Sequence, residues 1–158
     1  MLQACNMKHL GFTLVELVVV LIITGVLAAV AVPRFFVSQQ FYDRGFYNQA
    51  LAISRYAQKS AIAMRRNVCV NIASATLSIN LTYASAVGSS STCDTNLPSP
   101  VAGTAPFTVT AKTGTTLSSS STPIIFNALG GVSSAAATTT ITVSSRTITI
   151  DTNTGYVR

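Results

Sequence analysis

Apolar positions are spread very unevenly along this chain. From Gly11 to Phe35 it reads GFTLVELVVVLIITGVLAAVAVPRF, and Leu17 to Val32 carries no charge. The run has no polar face, and a helix that is apolar all round belongs in a core or a membrane. Phe12 to Val32 is 21 residues, enough to span a bilayer as a helix. Pro33 lacks an N–H and clashes with the preceding turn, which predicts a kink or interruption there. Beyond it the pattern becomes one-sided. Phe46, Ala50, Ile53, Ala57, Ala61 and Met64 recur at spacings of three and four, while Asn48, Arg55, Lys59 and Arg66 fall largely elsewhere. One long helix from about Phe12 to about Arg66 is expected, with Gly45 a weak point.

The period then shortens to two. Val68–Ile72 and Thr76–Tyr83 read as strands joined by a short turn. Residues 84–122 hold 18 Ser or Thr among 39, with recurring Gly and Pro, and read as a long loop with one strand at Phe107–Lys112. Ile124–Phe126 reads as a buried strand before a turn at Gly130-Gly131. Thr139–Ser144 and Arg146–Asp151 alternate as a hairpin with Ile141, Val143, Ile148 and Ile150 inward. Gly155–Arg158 is a candidate last strand. The class is α+β: a long N-terminal helix, its first half transmembrane, packed on an antiparallel β-sheet head.

Glu16 decides among readings of the apolar segment. A secretory signal would account for Lys8 and for Ala29-Val30-Ala31 as a cleavage site, but the apolar run is too long and Glu16 interrupts it. A plain anchor gives no reason for a carboxylate costing about 3 kcal/mol deep in the bilayer. A buried core helix lacks comparably apolar partners in the chain. An ionisable residue in a membrane segment is a functional hypothesis whose partner must be named. No Lys, Arg or His lies between Gly11 and Arg34. A cut after Gly11 would create an α-amino group on Phe12, one helical turn from Glu16 and on its face. That amine, in the same chain or a neighbouring copy, could pair with Glu16 and set the stagger between helices.

These residues resemble the class III signal of type IV pilins and type II secretion pseudopilins: Gly11-Phe12-Thr13-Leu14-Val15-Glu16-Leu17, then the apolar run and Pro33. The resemblance implies a leader over 1–11, starting at Met1 or Met7, that a prepilin peptidase removes between Gly11 and Phe12. It also implies N-methylation of Phe12 and a filament-assembly role for Phe12 and Glu16. The domains would then be a transmembrane or filament-core helix over 12–33, an amphipathic helix over 34–66 and a periplasmic head over 67–158. The leader would lie in the cytoplasm, the helix in the inner membrane and the head in the periplasm before assembly. Implied partners are other pilin or pseudopilin subunits, the prepilin peptidase and an inner-membrane assembly platform. Ala50–Ala61 leading into a strand, Ile125-Phe126 with the following glycines, and Ile148–Asp151 with Thr154-Gly155-Tyr156 resemble the GspH/FimT-type head. That group includes H-type minor pseudopilins and minor pilins of mannose-sensitive haemagglutinin (MSHA) pili.

Removing the leader also resolves the cysteine count. Cys5, Cys69 and Cys93 are an odd set, and loss of Cys5 leaves Cys69 and Cys93, whose spacing matches no zinc or redox motif. An extracytoplasmic disulfide is expected. A loop of about 25 residues so closed should contribute roughly 3 kcal/mol.

Catalytic chemistry has little to work with. The sole His, His9, lies in the leader, Glu16 is the sole Glu, and Asp43, Asp94 and Asp151 are far apart. No paired-carboxylate site, imidazole base, metal cluster or cofactor site is expected, and the Ser residues have no partner base for a triad. Gly130-Gly131 is a turn rather than a phosphate loop. A non-enzyme is expected. The net charge of +6 opens an alternative, DNA binding for uptake, with Arg55, Lys59, Arg65, Arg66, Arg146 and Arg158 as candidate contacts and only Tyr56 interleaved. A solvated basic surface accounts for the same scattered charge. Adhesion through the Ser/Thr-rich loop is a further alternative without a motif.

Overall fold

The computed structural model describes residues 13–87, 92–133 and 137–158, with side chains left out at 30 and 32–37. The fold is α+β. A helix, α1 (Leu14–Met64), precedes β1 (Val68–Ala73), β2 (Ser78–Tyr83), β3 (Thr95–Asn96), β4 (Thr108–Thr110), β5 (Leu117–Ser119), β6 (Ile124–Phe126), β7 (Thr138–Val143) and β8 (Arg146–Asp151). The chain divides into two compact units, 1–38 and 39–158.

Both ends of α1 are capped. Thr13 Oγ1 accepts from the Glu16 N–H at 3.2 Å, the bond an N-cap side chain makes to the third helical residue. At the other end Arg66 N donates to Ala61 O at 3.2 Å and Arg65 N to Ile62 O at 3.3 Å. Arg65 sits at φ 51°, so this is a Schellman ending with arginine where glycine is usual. The helix therefore stops at Met64, short of the expected Arg66. It runs through Gly45 and Pro33, so the expected interruption at Pro33 is not found. A proline removes one i→i−4 hydrogen bond, and the turns on either side carry the helix past it.

From Gln39 onward the helix supplies one wall of the core. Phe46, Ala50, Ile53, Ala57 and Ala61 are buried, as the spacing predicts, and cluster with residues of both sheets. Three alanines on this stripe let the backbone approach closely. Ser54 is buried there too, its hydroxyl satisfied by donating to Ala50 O at 2.8 Å.

The head has two antiparallel sheets rather than the one expected. In the first, β3-β2-β1-β6 lie in order and β4 also pairs with β2. Val70 faces Leu81 and Ile72 faces Ile79 across β1 and β2, so alternate positions enter the core. The second has the order β5-β7-β8. Ile141 pairs with Ile148 and Val143 with Arg146, closing a two-residue turn at Ser144-Ser145. Residues 84–122 are not one loop with one strand. They hold β3, β4 and β5, which take their hydrogen bonds from β2 and β7. The expected last strand at 155–158 is reduced to a bridge between Ile150 and Val157. Thr149 and Arg158 exchange backbone hydrogen bonds at 2.8 and 3.0 Å beside it.

Candidate functional site

Of the residues that resemble an assembly motif, Glu16 sits at the start of α1. Gly11, Phe12 and the leader 1–11 lie outside the described residues. Glu16 is in the first turn, exposed, with its backbone N–H on Thr13. Thr13 and Glu16 have the T-x-x-E spacing of a capping box, a signal present in the sequence that motif reasoning passed over. It adds a local role: a carboxylate in the first helical turn is favoured by the N-terminal end of the helix dipole. The positioning of Glu16 thus comes from Thr13, which fixes where the helix begins.

The surface beyond Glu16 is uniformly apolar and uncovered. Leu14 is 79% exposed, and even the least exposed of the large residues between Leu14 and Leu27, Val18, is 43% exposed. The one polar side chain on the way, Thr24, turns its hydroxyl back onto Val20 O and Leu21 O at 2.9 and 3.1 Å. Its hydrogen-bonding capacity is spent inside the helix, which leaves the outer face free of donors. Among the described residues no helix is long and apolar enough to cross a membrane. The expected span 12–33 includes Phe12, which lies outside them, and its side chains at 30, 32 and 33 are not described either; the fully described apolar stretch is Leu14–Ala29.

Residues 6–32 match the prokaryotic N-terminal methylation motif. No curated protein and no solved structure matches the chain significantly. The matched segment contains Gly11, Phe12 and Glu16, and it carries the type IV pilin-like signal on which a prepilin peptidase acts. A motif of this type implies a structural subunit that assembles with other pilin subunits and is consistent with membrane anchoring.

The head bears the expected disulfide. Cys69 of β1 is bonded to Cys93, with Cα atoms 6.1 Å apart at a sequence separation of 24. Asp94 makes a second clasp on the same segment: the Ser85 N–H and hydroxyl donate to its two oxygens at 2.8 and 2.5 Å. Among the described residues no group of His, Cys, Asp or Glu could hold a metal ion.

Of the six basic residues considered for DNA, Arg55 and Arg66 make side-chain hydrogen bonds within the chain. Arg55 donates to Val157 O from two nitrogens, at 3.1 and 3.3 Å, and so fastens the C-terminal segment to α1. Arg66 donates to Ser85 O at 2.5 Å. Arg65 is the helix-ending residue. Arg146 lies 5.7 Å from the Tyr47 ring centre, a cation–π contact on the flank of α1. Arg158 ends the chain beside Asp151. Lys59 is left exposed on α1.

Asp43 on α1 and Asp94 and Asp151 in the head are held mainly by neutral donors, and all three titrate below the usual carboxylate range. Burial pushes Asp43 up, but Thr115, Ser144 and Gln39 together outweigh it. The Ser85 hydroxyl and N–H lower Asp94, and the Thr154 N–H and hydroxyl lower Asp151. A depressed folded-state value contributes stability above the unfolded value of about 3.9, lost as pH falls through the folded value. Thermal midpoints should therefore be level from about pH 7 to 5 and decline below about pH 4. A midpoint that rises on acidification would contradict this assignment.

Proposed function

We propose that this chain is a minor pilin or pseudopilin, a structural subunit of a type IV pilus (MSHA-like) or a type II secretion pseudopilus. The observation that carries the reading is a methylation motif running directly into a helix whose first part, Leu14–Ala29, is apolar on every side and exposed. Such a surface is stable only in lipid or against similar helices. The prepilin waits in the inner membrane with leader 1–11 in the cytoplasm and head 67–158 in the periplasm, where the Cys69–Cys93 disulfide is at home. Prepilin peptidase cuts between Gly11 and Phe12, and Phe12 is N-methylated. The 12–33 helix, with Pro33 as its kink, then leaves the membrane for the filament core through the assembly platform, while 34–66 stays with the head.

Phe12 supplies the amine and Glu16 the counter-charge that sets the register between neighbouring helices. Replacing Glu16 with Ala should leave the prepilin inserted at the normal level and reduce its incorporation into sheared filaments or pseudopili at least tenfold. Immunoblots of membrane and filament fractions read both quantities. Unchanged incorporation would remove Glu16 from the register role.

A further inference from the structure

We propose that a cavity of about 220 Å³ between the flank of α1 and the β7–β8 turn binds a single phosphate group. Two walls converge there. The helix contributes Gln40 and Arg44, and the turn contributes Ser145 and Arg146, with Asp43 and Ser144 at the back.

Donors and acceptors in this cavity are unbalanced. The acceptor, Asp43, is already occupied: Thr115 Oγ1 donates to its Oδ1 at 2.7 Å and Gln39 Nε2 at 3.0 Å, and Ser144 adds a third bond. The donors are not. Gln40, Arg44 and Ser145 have no hydrogen-bond partner among the described residues. Arg146 has only a cation–π contact with the Tyr47 ring at 5.7 Å, which leaves its N–H groups free for a bidentate contact. The charged groups facing the space are two guanidiniums and one carboxylate, leaving a positive balance.

Phosphate suits the space better than a carboxylate. Its three terminal oxygens can take donors from both walls at once, and its greater charge matches two guanidiniums better than a single carboxylate does. The other cations of the surroundings are engaged or distant: Lys112 sits 3.8 Å from the Tyr42 ring centre. Of the other cations on this helix, Arg55 is turned to Val157 O, and Lys59 lies fifteen residues beyond Arg44, on the order of 22 Å along the axis. That favours one terminal phosphate, free or on a small ester or lipid, over a nucleic-acid backbone, which needs a continuous basic track.

The test uses the full chain in non-ionic detergent, titrated with inorganic phosphate and followed by the amide signal of Ser145. Saturable binding of one equivalent in the millimolar range is expected. Arg44→Gln and Arg146→Gln should each weaken it about tenfold with thermal midpoints unchanged. Tyr47→Leu should weaken it about two- to fivefold, the range of an exposed cation–π contact. Glycerol phosphate binding as tightly as inorganic phosphate would support the site and point to a soluble ester. Much tighter binding of a short-chain phosphatidic acid than of its phosphatidylcholine counterpart would support it and point to a lipid. No saturation by phosphate, equal binding of acetate, or retention of a duplex DNA that Arg44→Gln leaves untouched would each overturn the proposal.

Discussion

Replacing Gly155 with Ala should destabilise the head by about 4 kcal/mol and lower its thermal midpoint by roughly 10–20 °C. Gly155 has φ +66°, and a Cβ there would come within 1.8 Å of Gly130 O and 2.8 Å of Gln58 Nε2. The first contact is with backbone, which cannot rotate away. Two turns meet at this point. Thr154-Gly155 packs on Gly130-Gly131, and the Gln58 amide donates to Thr154 O at 3.0 Å and Gly130 O at 3.4 Å. Forcing them apart would also release the C-terminal bridge to β8. Gly103 is the control. Its φ is +65° but nothing lies within 4 Å of its would-be Cβ, so Gly103→Ala should cost only the left-handed conformation, about 1–2 kcal/mol. Thermal unfolding of both variants separates steric collision from backbone strain. Equal small losses would mean that the two turns are not in rigid contact.

Removing the disulfide has the next largest effect. The double variant Cys69→Ala, Cys93→Ala should lose roughly 3 kcal/mol, the loop-closure contribution for a separation of 24 residues. Reductant applied to the unaltered protein should produce a similar loss, because the Asp94 clasp remains in both cases. Denaturant unfolding with and without reductant measures it. A loss under 1 kcal/mol would show that the clasp alone fixes the segment before β3.

Sequence pattern carried the long elements and failed on the short ones. The stripe from Phe46 to Ala61 and the alternation in β7 and β8 were legible because each repeats its period often enough to define a face. Strands β3, β4 and β5 were not, since two or three Ser/Thr-rich residues show no period and pair only because β2 and β7 offer open edges. The turn at Gly130-Gly131 was visible as a turn, but its contact with Gly155 joins residues 25 apart and left no local mark. Arg65 was read as a surface charge and is a helix stop, a case of tertiary context overriding the usual preference for glycine. The motif at Gly11–Glu16 was the clearest signal in the chain, and the Thr13 cap hidden within it explains locally where the helix starts.

The central claim is that this chain is processed at Gly11 and enters a filament. The measurement that tests it most directly is the mass of the mature N-terminal peptide, taken from envelope or sheared-filament fractions. A peptide beginning at Phe12 and carrying one added methyl group is the predicted result; it would also lack Cys5 and place Glu16 one turn from the new amine. A peptide beginning at Val32, or one retaining Met1 or Met7, would contradict the account.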